Sequence, residues 1–463
     1  MPAIITKDFR VHNAKQFEES FGETADTYYL AIGRPQAFAD NQAFNDGTDS
    51  APPTPVDSVG SVEYYAYDDF LSAKKITSSD VSLVIPRRNW TTGTVYDYYR
   101  HDYGDINTAG STITSDSGAS SLYDATFYVM NSTFDVYKVI DNNSGGASTV
   151  EPSGNKSTSV FSTGDSYKWK YMYSLSASEQ ANFLSTDFMH VSTESSDFST
   201  TGGAIEHVKI TAGGSGGTNG TYTGVDIRGD GSSGKATIVV ASNAVSSVTI
   251  TTAGSGYTYA SVKASDFGSV SGSDIDFIIS PPGGHAADVV TELGGFFVMT
   301  NVDLTQADGS GDFSTGNDFR RIALLRNPTD STTGSTASAT TLDATKSITF
   351  SGTPGSFQAD EKITQATTGA VGFVVDFNST TKVLRYVQPQ FADQGVDSDG
   401  NLTAFASTHT VTGATSSATG TPSSHDTTPE LTHDTGDILY IENRKPISRA
   451  ADQTENVKLI VEF

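Results

Sequence analysis

Few stretches of this chain hold residue types at spacings that could do chemistry. Gly213-Gly214-Ser215-Gly216-Gly217 satisfies G-x-S-x-G, but a nucleophile elbow needs a strand-to-helix turn. The flanks here are more Gly, Thr and Asn, so the spacing predicts a β-turn. Gly229-Asp230-Gly231-Ser232-Ser233-Gly234 spells G-x-G-x-x-G, yet Lys235–Val240 follows as a β-branched run, with no helix to cradle a pyrophosphate; a hairpin loop is expected. The eight His form no H-E-x-x-H, and there is no Cys, which excludes thiolate metal sites, disulfides and cysteine nucleophiles. Asp397-Ser398-Asp399-Gly400-Asn401 and Asp308-Gly309-Ser310-Gly311-Asp312 alternate carboxylates as hard-cation loops do, but neither has a Glu at the twelfth position. Solvated turns are predicted. Among 54 acidic residues a glycosidase-like carboxylate pair can be drawn anywhere and so carries no weight. The expectation is a protein with no catalytic residue, no metal and no cofactor. Tyr64-Tyr65-Ala66-Tyr67 and Tyr96-Asp97-Tyr98-Tyr99 could stack on sugars, but amphipathic core and interface positions are the favoured reading.

The elements that would carry these residues are mostly strands. Tyr28–Gly33, Val81–Pro86, Thr126–Met130 and Val136–Ile140 are β-branched and aromatic runs bounded by Gly, Pro, Asn and Asp. Tyr167–Tyr173 alternates aromatic with basic residues, which predicts one buried and one wet face. In Asp8–Phe21 apolar residues recur at near-helical spacing and Gly22 stands where a helix would stop. Beyond about Thr200 the composition turns to Gly, Ser and Thr. There Val208–Gly216 recurs about 40 residues later as Val248–Gly256, and Ile363–Gly372 is echoed 48 residues on by Val411–Gly420.

The fold class expected is mainly β, α+β with few helices: an antiparallel β-sandwich core interrupted by two small Gly/Ser/Thr-rich β inserts. The organisation expected is a core at 1–200, an inserted domain at 201–285, a core segment at 286–331, a second insert at 332–428 and core C-terminal strands at 429–463. At 463 residues the chain exceeds one ordinary hydrophobic core. A net charge of −26 would repel a phosphate backbone, so no nucleic-acid partner is expected. The N-terminal Met1–Asp8 lacks a signal-peptide pattern and no 18-residue apolar stretch occurs, so no membrane insertion is expected. The absence of Cys is compatible with assembly in a reducing cytoplasm.

Several segments, in order, resemble the baseplate wedge subunit called gene product eight in T-even-like contractile-tailed phages. They are Thr6-Lys7-Asp8-Phe9-Arg10; Ile32-Gly33-Arg34; Ala51–Val59; Val84-Ile85-Pro86-Arg87-Arg88-Asn89-Trp90; Val136–Val139; Glu151-Pro152; and Gly164–Tyr171. Arg321-Ile322, Asn327-Pro328, Gly436–Ile447 and Asp452–Glu455 continue the series. This chain is longer than that family's pattern, and the additions fall on the two Gly/Ser/Thr-rich regions. The resemblance implies a structural, non-enzymatic subunit of the virion's tail baseplate, assembled in the host cytoplasm. It also implies that the subunit homodimerises, binds other wedge proteins and takes part in baseplate rearrangement at infection.

Such a part needs docking surfaces anchored by Trp, Tyr and Arg. Pro86, Arg87, Arg88 and Trp90 are one candidate interface, and Glu442, Asn443 and Arg444 a second; the competing reading has Arg88 and Glu442 merely closing salt bridges within the fold. The runner-up function is a host-surface glycan-binding adhesin with Tyr257 and Tyr259 as its stacking platform. A tail-borne polysaccharide depolymerase is the enzymatic rival.

Overall fold

The aromatic and β-branched runs become strands in the computed structural model. It describes residues 5–38, 47–55, 66–106, 110–156, 159–193, 201–304, 316–389, 395–397, 399, 401–448 and 455–463. The structure is mainly β, built from antiparallel sheets. Among the described residues the α-helices are Lys7–Ser20, Ala177–Phe183 and Val289–Leu293. The first is the helix predicted over Asp8–Phe21, and the Gly22 amide closes on the Glu19 carbonyl at 2.9 Å. The chain divides into two compact units, one of Met1–Gln16, Ser82–Met299 and Ile460–Phe463, the other of Phe17–Val81 and Thr300–Leu459.

In the first unit, Tyr128–Met130, Asp135–Asp141, Lys168–Ser174 and Phe161–Ser162 form an antiparallel sheet in that order. Here one expectation fails. Strand Lys168–Ser174 reaches water only at its ends: Lys170 is 2% exposed and sits in register with Lys138, which is 0% exposed. The sheet is covered on both sides, so Trp169, Met172 and Tyr173 are buried as well as Lys170 between them. Lys138 meets Glu292 and His285 there. The burial cost of each ion is offset only by such pairing.

The same unit contains the first Gly/Ser/Thr-rich region. Ile205–Ser215 pairs with Ser271–Ile279, and Gly220–Asp226, Lys235–Ala241 and Ala244–Thr252 form a three-stranded sheet. Ile205, Ile238, Tyr257 and Phe267 belong to one buried cluster inside these strands. The sequence repeat has a backbone counterpart. Gly214 and Gly254 have φ of +70° and +65°, and Gly216 and Gly256 both +73°. A Cβ on Gly254 would meet the Ser232 carbonyl oxygen at 2.5 Å, so that position requires glycine.

The second unit holds a five-stranded sheet in the order Thr341–Asp343, Phe70–Ile76, Tyr28–Gly33, Phe319–Arg326, Asp437–Ile447. Tyr29, Phe70, Leu325 and Leu342 pack on it as a buried cluster. A seven-stranded sheet is assembled from strands between Lys346 and Asp426. The second sequence echo lies here as two hairpins: Lys362–Gln365 with Ala370–Asn378, and Val411–Gly413 with Thr419–Gly420. These hairpins pair with each other through Ile363↔Gly413 and Thr364↔Thr412. Gly369 and its echo Ser417 both have left-handed φ, +81° and +56°.

Candidate interaction surfaces

The segment Val84–Trp90 begins inside the first unit. Val84 and Ile85 are fully buried, and the strand ends where Pro86 pairs with Phe188. The chain is then pinned by backbone bonds: the Met130 amide donates to the Arg88 carbonyl at 2.7 Å and the Trp90 amide to the Met130 carbonyl at 2.9 Å. Side chains extend the hold. The Tyr128 hydroxyl donates to the Pro86 carbonyl at 2.8 Å, and its ring centroid lies 4.8 Å from the Arg88 guanidinium. Arg88 donates to the carbonyls of Ala125 and Tyr123, the latter at 3.1 Å. The competing salt-bridge reading of Arg88 thus has carbonyl oxygens in the place of a carboxylate. Arg87 donates to the Ser185 carbonyl at 2.8 Å and to Asn89 Oδ1 at 3.0 Å, and Trp90 Nε1 to Ser148 Oγ at 3.0 Å. All four named residues are half-buried, while Asn89 between them is exposed.

The second candidate lies on the other unit. Asp437–Ile447 is an edge strand of the five-stranded sheet among the described residues. Its register against Phe319–Arg326 slips between Leu324↔Tyr440 and Leu325↔Ile438, a bulge that leaves Leu439 unmatched. Ile438 and Ile441 pack against the buried cluster, while Leu439 and Tyr440 stay 43% and 38% exposed. Tyr440 donates its hydroxyl to Glu442 Oε2 at 3.0 Å, and Arg444 Nε lies 3.3 Å from Glu442 Oε1. Asn443 instead faces its own unit, accepting from Arg321 Nε at 3.1 Å and donating to the Pro53 carbonyl at 3.1 Å.

Behind Asn443 is a constellation that sequence reading missed. Asp69, 1% exposed, accepts from Arg321 at 2.6 Å and lies 3.9 Å from the Arg34 guanidinium. Burial pushes its carboxyl up, and the two guanidinium groups pull it back. Gly33 precedes Arg34 because a Cβ there would stand 2.7 Å from the Asp69 carbonyl oxygen. The collinear segments Ile32–Arg34 and Arg321-Ile322 thus meet at one acid. Only their adjacency to the acid in the Tyr67–Asp69 turn could have signalled it, and sequence spacing does not show adjacency.

The remaining motifs resolve as structure. Ser215 ends a strand and the next element is another strand, Gly220–Asp226, so no helix follows the G-x-S-x-G. The Gly229–Gly234 segment is not a simple hairpin: Arg228-Gly229 pairs with Ala260-Ser261, and Asp230 accepts from the Thr258 amide and hydroxyl at 2.8 and 2.6 Å. Those bonds hold the Asp230 carboxyl down at about 2. Asp397 Oδ1 accepts the amides of Asp399 and Asn401, both at 2.9 Å, as a turn does. Asp308–Asp312, Tyr64 and Tyr65 lie outside the described residues. Among the described residues no three His, Asp or Glu gather as metal ligands. Tyr67, Tyr96, Tyr98 and Tyr99 are buried. Tyr257 is buried too, its hydroxyl donating to the Ile227 carbonyl at 3.0 Å, whereas Tyr259 is 62% exposed, so the two form no joint stacking surface.

No helix among the described residues is long and apolar enough to cross a membrane. No curated protein matches the chain. A family model described as Bacteriophage T4, Gp8 matches residues 3–144, a stretch that includes the helix Lys7–Ser20, the Gly33-Arg34 turn and the Val84–Trp90 segment. Over that stretch the chain resembles Bacteriophage T4 Gp8, a baseplate wedge subunit.

Proposed function

We propose that this baseplate structural subunit works without catalysis, forms a homodimer and binds neighbouring wedge proteins during tail assembly in the host cytoplasm and at baseplate rearrangement. The observation that carries the reading is the match of residues 3–144 to the Gp8 family. The exposed pair Leu439 and Tyr440 on an edge strand, flanked by Glu442, Arg444 and Lys445, supplies apolar area and both charge signs where a second chain can add. In this reading Asp437–Ile447 is the primary docking surface, with Glu442 and Arg444 at its rim and Asn443 bracing it from behind. Pro86, Arg87, Arg88 and Trp90 form a second contact, in which side chains held by their own unit present a rigid shelf around Asn89. The regions 201–285 and 332–428 act as inserts on the common core.

Light scattering on the purified chain, alone and mixed with the other wedge proteins of the same phage, tests this. A dimer that enters a larger complex is expected; a monomer that ignores those proteins would sink the reading. Leu439→Lys combined with Tyr440→Glu should weaken association at least about tenfold while leaving the urea midpoint in place, since both side chains are already partly in water. Purified protein incubated with host polysaccharide should release no reducing ends.

A further inference from the structure

The first unit contains a cavity of about 740 Å³ that the wedge reading does not use. Small-ligand sites run to roughly 300–1,000 Å³. Its walls are the rings of Tyr99, Tyr123 and Tyr257 with Leu122, Pro281 and Pro282, and its rim includes the exposed Lys7, Asp8, Thr258 and Gly256.

Two polar groups on the wall have no hydrogen bond to any described residue. Tyr99 is 4% exposed and its hydroxyl is unpartnered, although the hydroxyls of Tyr123 and Tyr257 are spent on the carbonyls of Thr291 and Ile227. Burial pushes the Tyr99 phenol up, so it stays protonated. His101 Nδ1 accepts the Ile279 amide at 3.3 Å, which places the ring proton on Nε2, and burial holds the ring neutral. Its Nε2–H is a second free donor. Both donors belong to residues that line the cavity, so they can be met there by water or by an occupant that brings oxygen acceptors.

The charges around the cavity balance. Asp288 is bonded to Lys15 at 3.1 Å and to the Thr291 amide at 3.0 Å, and Glu292 pairs with Lys138. Lys7 is followed directly by Asp8 at the mouth. The mouth thus carries one exposed charge of each sign, and the wall carboxylates Asp288 and Glu292 have counter-ions, so the site as a whole favours neither an anion nor a cation. A purely apolar ligand would leave Tyr99 and His101 unpaired. A neutral ring with one apolar face and several hydroxyls meets all of these conditions at once.

We propose that this cavity binds a neutral saccharide residue, with Tyr99 and His101 donating to its oxygens and the tyrosine rings covering its apolar face. The site differs from a Tyr257–Tyr259 surface platform: Tyr257 contributes a wall and Tyr259 nothing. It stands independently of the wedge reading, because a baseplate subunit with or without a glycan pocket would still assemble.

The test is saturation-transfer NMR and calorimetry on the full chain with glucose, galactose and N-acetylglucosamine, each at about 10 mM, where weak single-residue binding registers. At least one sugar should bind. Tyr99→Phe, which keeps the ring and removes the hydroxyl, should weaken that binding about three- to tenfold. Leu122→Trp, which fills the cavity from another wall, should abolish it, with thermal melting confirming that both variants fold. Binding by none of the sugars would overturn the proposal. So would binding that survives both substitutions, because the sugar would then sit elsewhere.

Discussion

Lys138 shows how much a single buried ion constrains this protein. It is 0% exposed, its ammonium lies 4.0 Å from the Tyr99 ring centroid, and it pairs with Glu292, itself 6% exposed. Glu292 also takes the Ala286 amide at 2.7 Å and His285 Nδ1 at 3.1 Å. Removing the cation alone strands a carboxylate in the interior, so Lys138→Met should cost about 3–5 kcal/mol. Lys138→Met with Glu292→Gln should cost less than the single change, because the charge leaves with its partner. Urea denaturation of the two variants decides the order; a double variant weaker than the single one would mean that Glu292 is held chiefly by its other bonds.

Among the elements, the two Gly-Ser-Gly repeats show which turns depend on glycine for space and which for dihedral angle alone. Gly254 and Gly256 share a left-handed φ, but a Cβ at Gly254 would also meet the Gly234 amide nitrogen at 2.7 Å, while one at Gly256 meets nothing within 4 Å. Gly256→Ala should therefore cost about 1 kcal/mol from backbone strain. Gly254→Ala should cost at least about 2 kcal/mol more, since Ser232 and Gly234 must move. Thermal melting of the pair measures the difference, and equal losses would show that the loop around Ser232 yields freely.

For the molecule as a whole, charge sets two behaviours. With a net −26, attraction to a basic wedge neighbour should speed encounter at low salt, so the association rate should fall steeply between low and high ionic strength. Acid should also loosen the chain. Burial depresses His207 and His433 from 6.5 to about 4, with Lys346 adding to the effect at His433. Each binds fewer protons folded than unfolded, so its contribution is fully present above about pH 6.5 and is lost as pH falls toward about 4. The loss is on the order of 2 kcal/mol per histidine after allowing for partial exposure. Urea midpoints across that range should fall, and should fall less in His207→Gln and His433→Gln.

The sequence by itself determined what depends on neighbours within a few residues. The strand Tyr28–Gly33, the helix over Lys7–Ser20 and the left-handed glycines of the repeats follow from side-chain shape, period and φ, all local properties. The Gp8 resemblance was likewise legible from collinear segments, although the matched stretch stops at residue 144 and the Gly436–Ile447 block lies beyond it. Tertiary structure alone decided which strand became an edge, which lysines were buried, and that Arg34, Asp69 and Arg321 would meet. It also closed the cavity around Tyr99 and His101. Such features join residues tens to hundreds of positions apart, and their energy comes from desolvation and pairing that exist only once both partners have left water. Alternation along Tyr167–Tyr173 could therefore suggest a wet face, while the layer that covers Lys170 came from elsewhere in the chain.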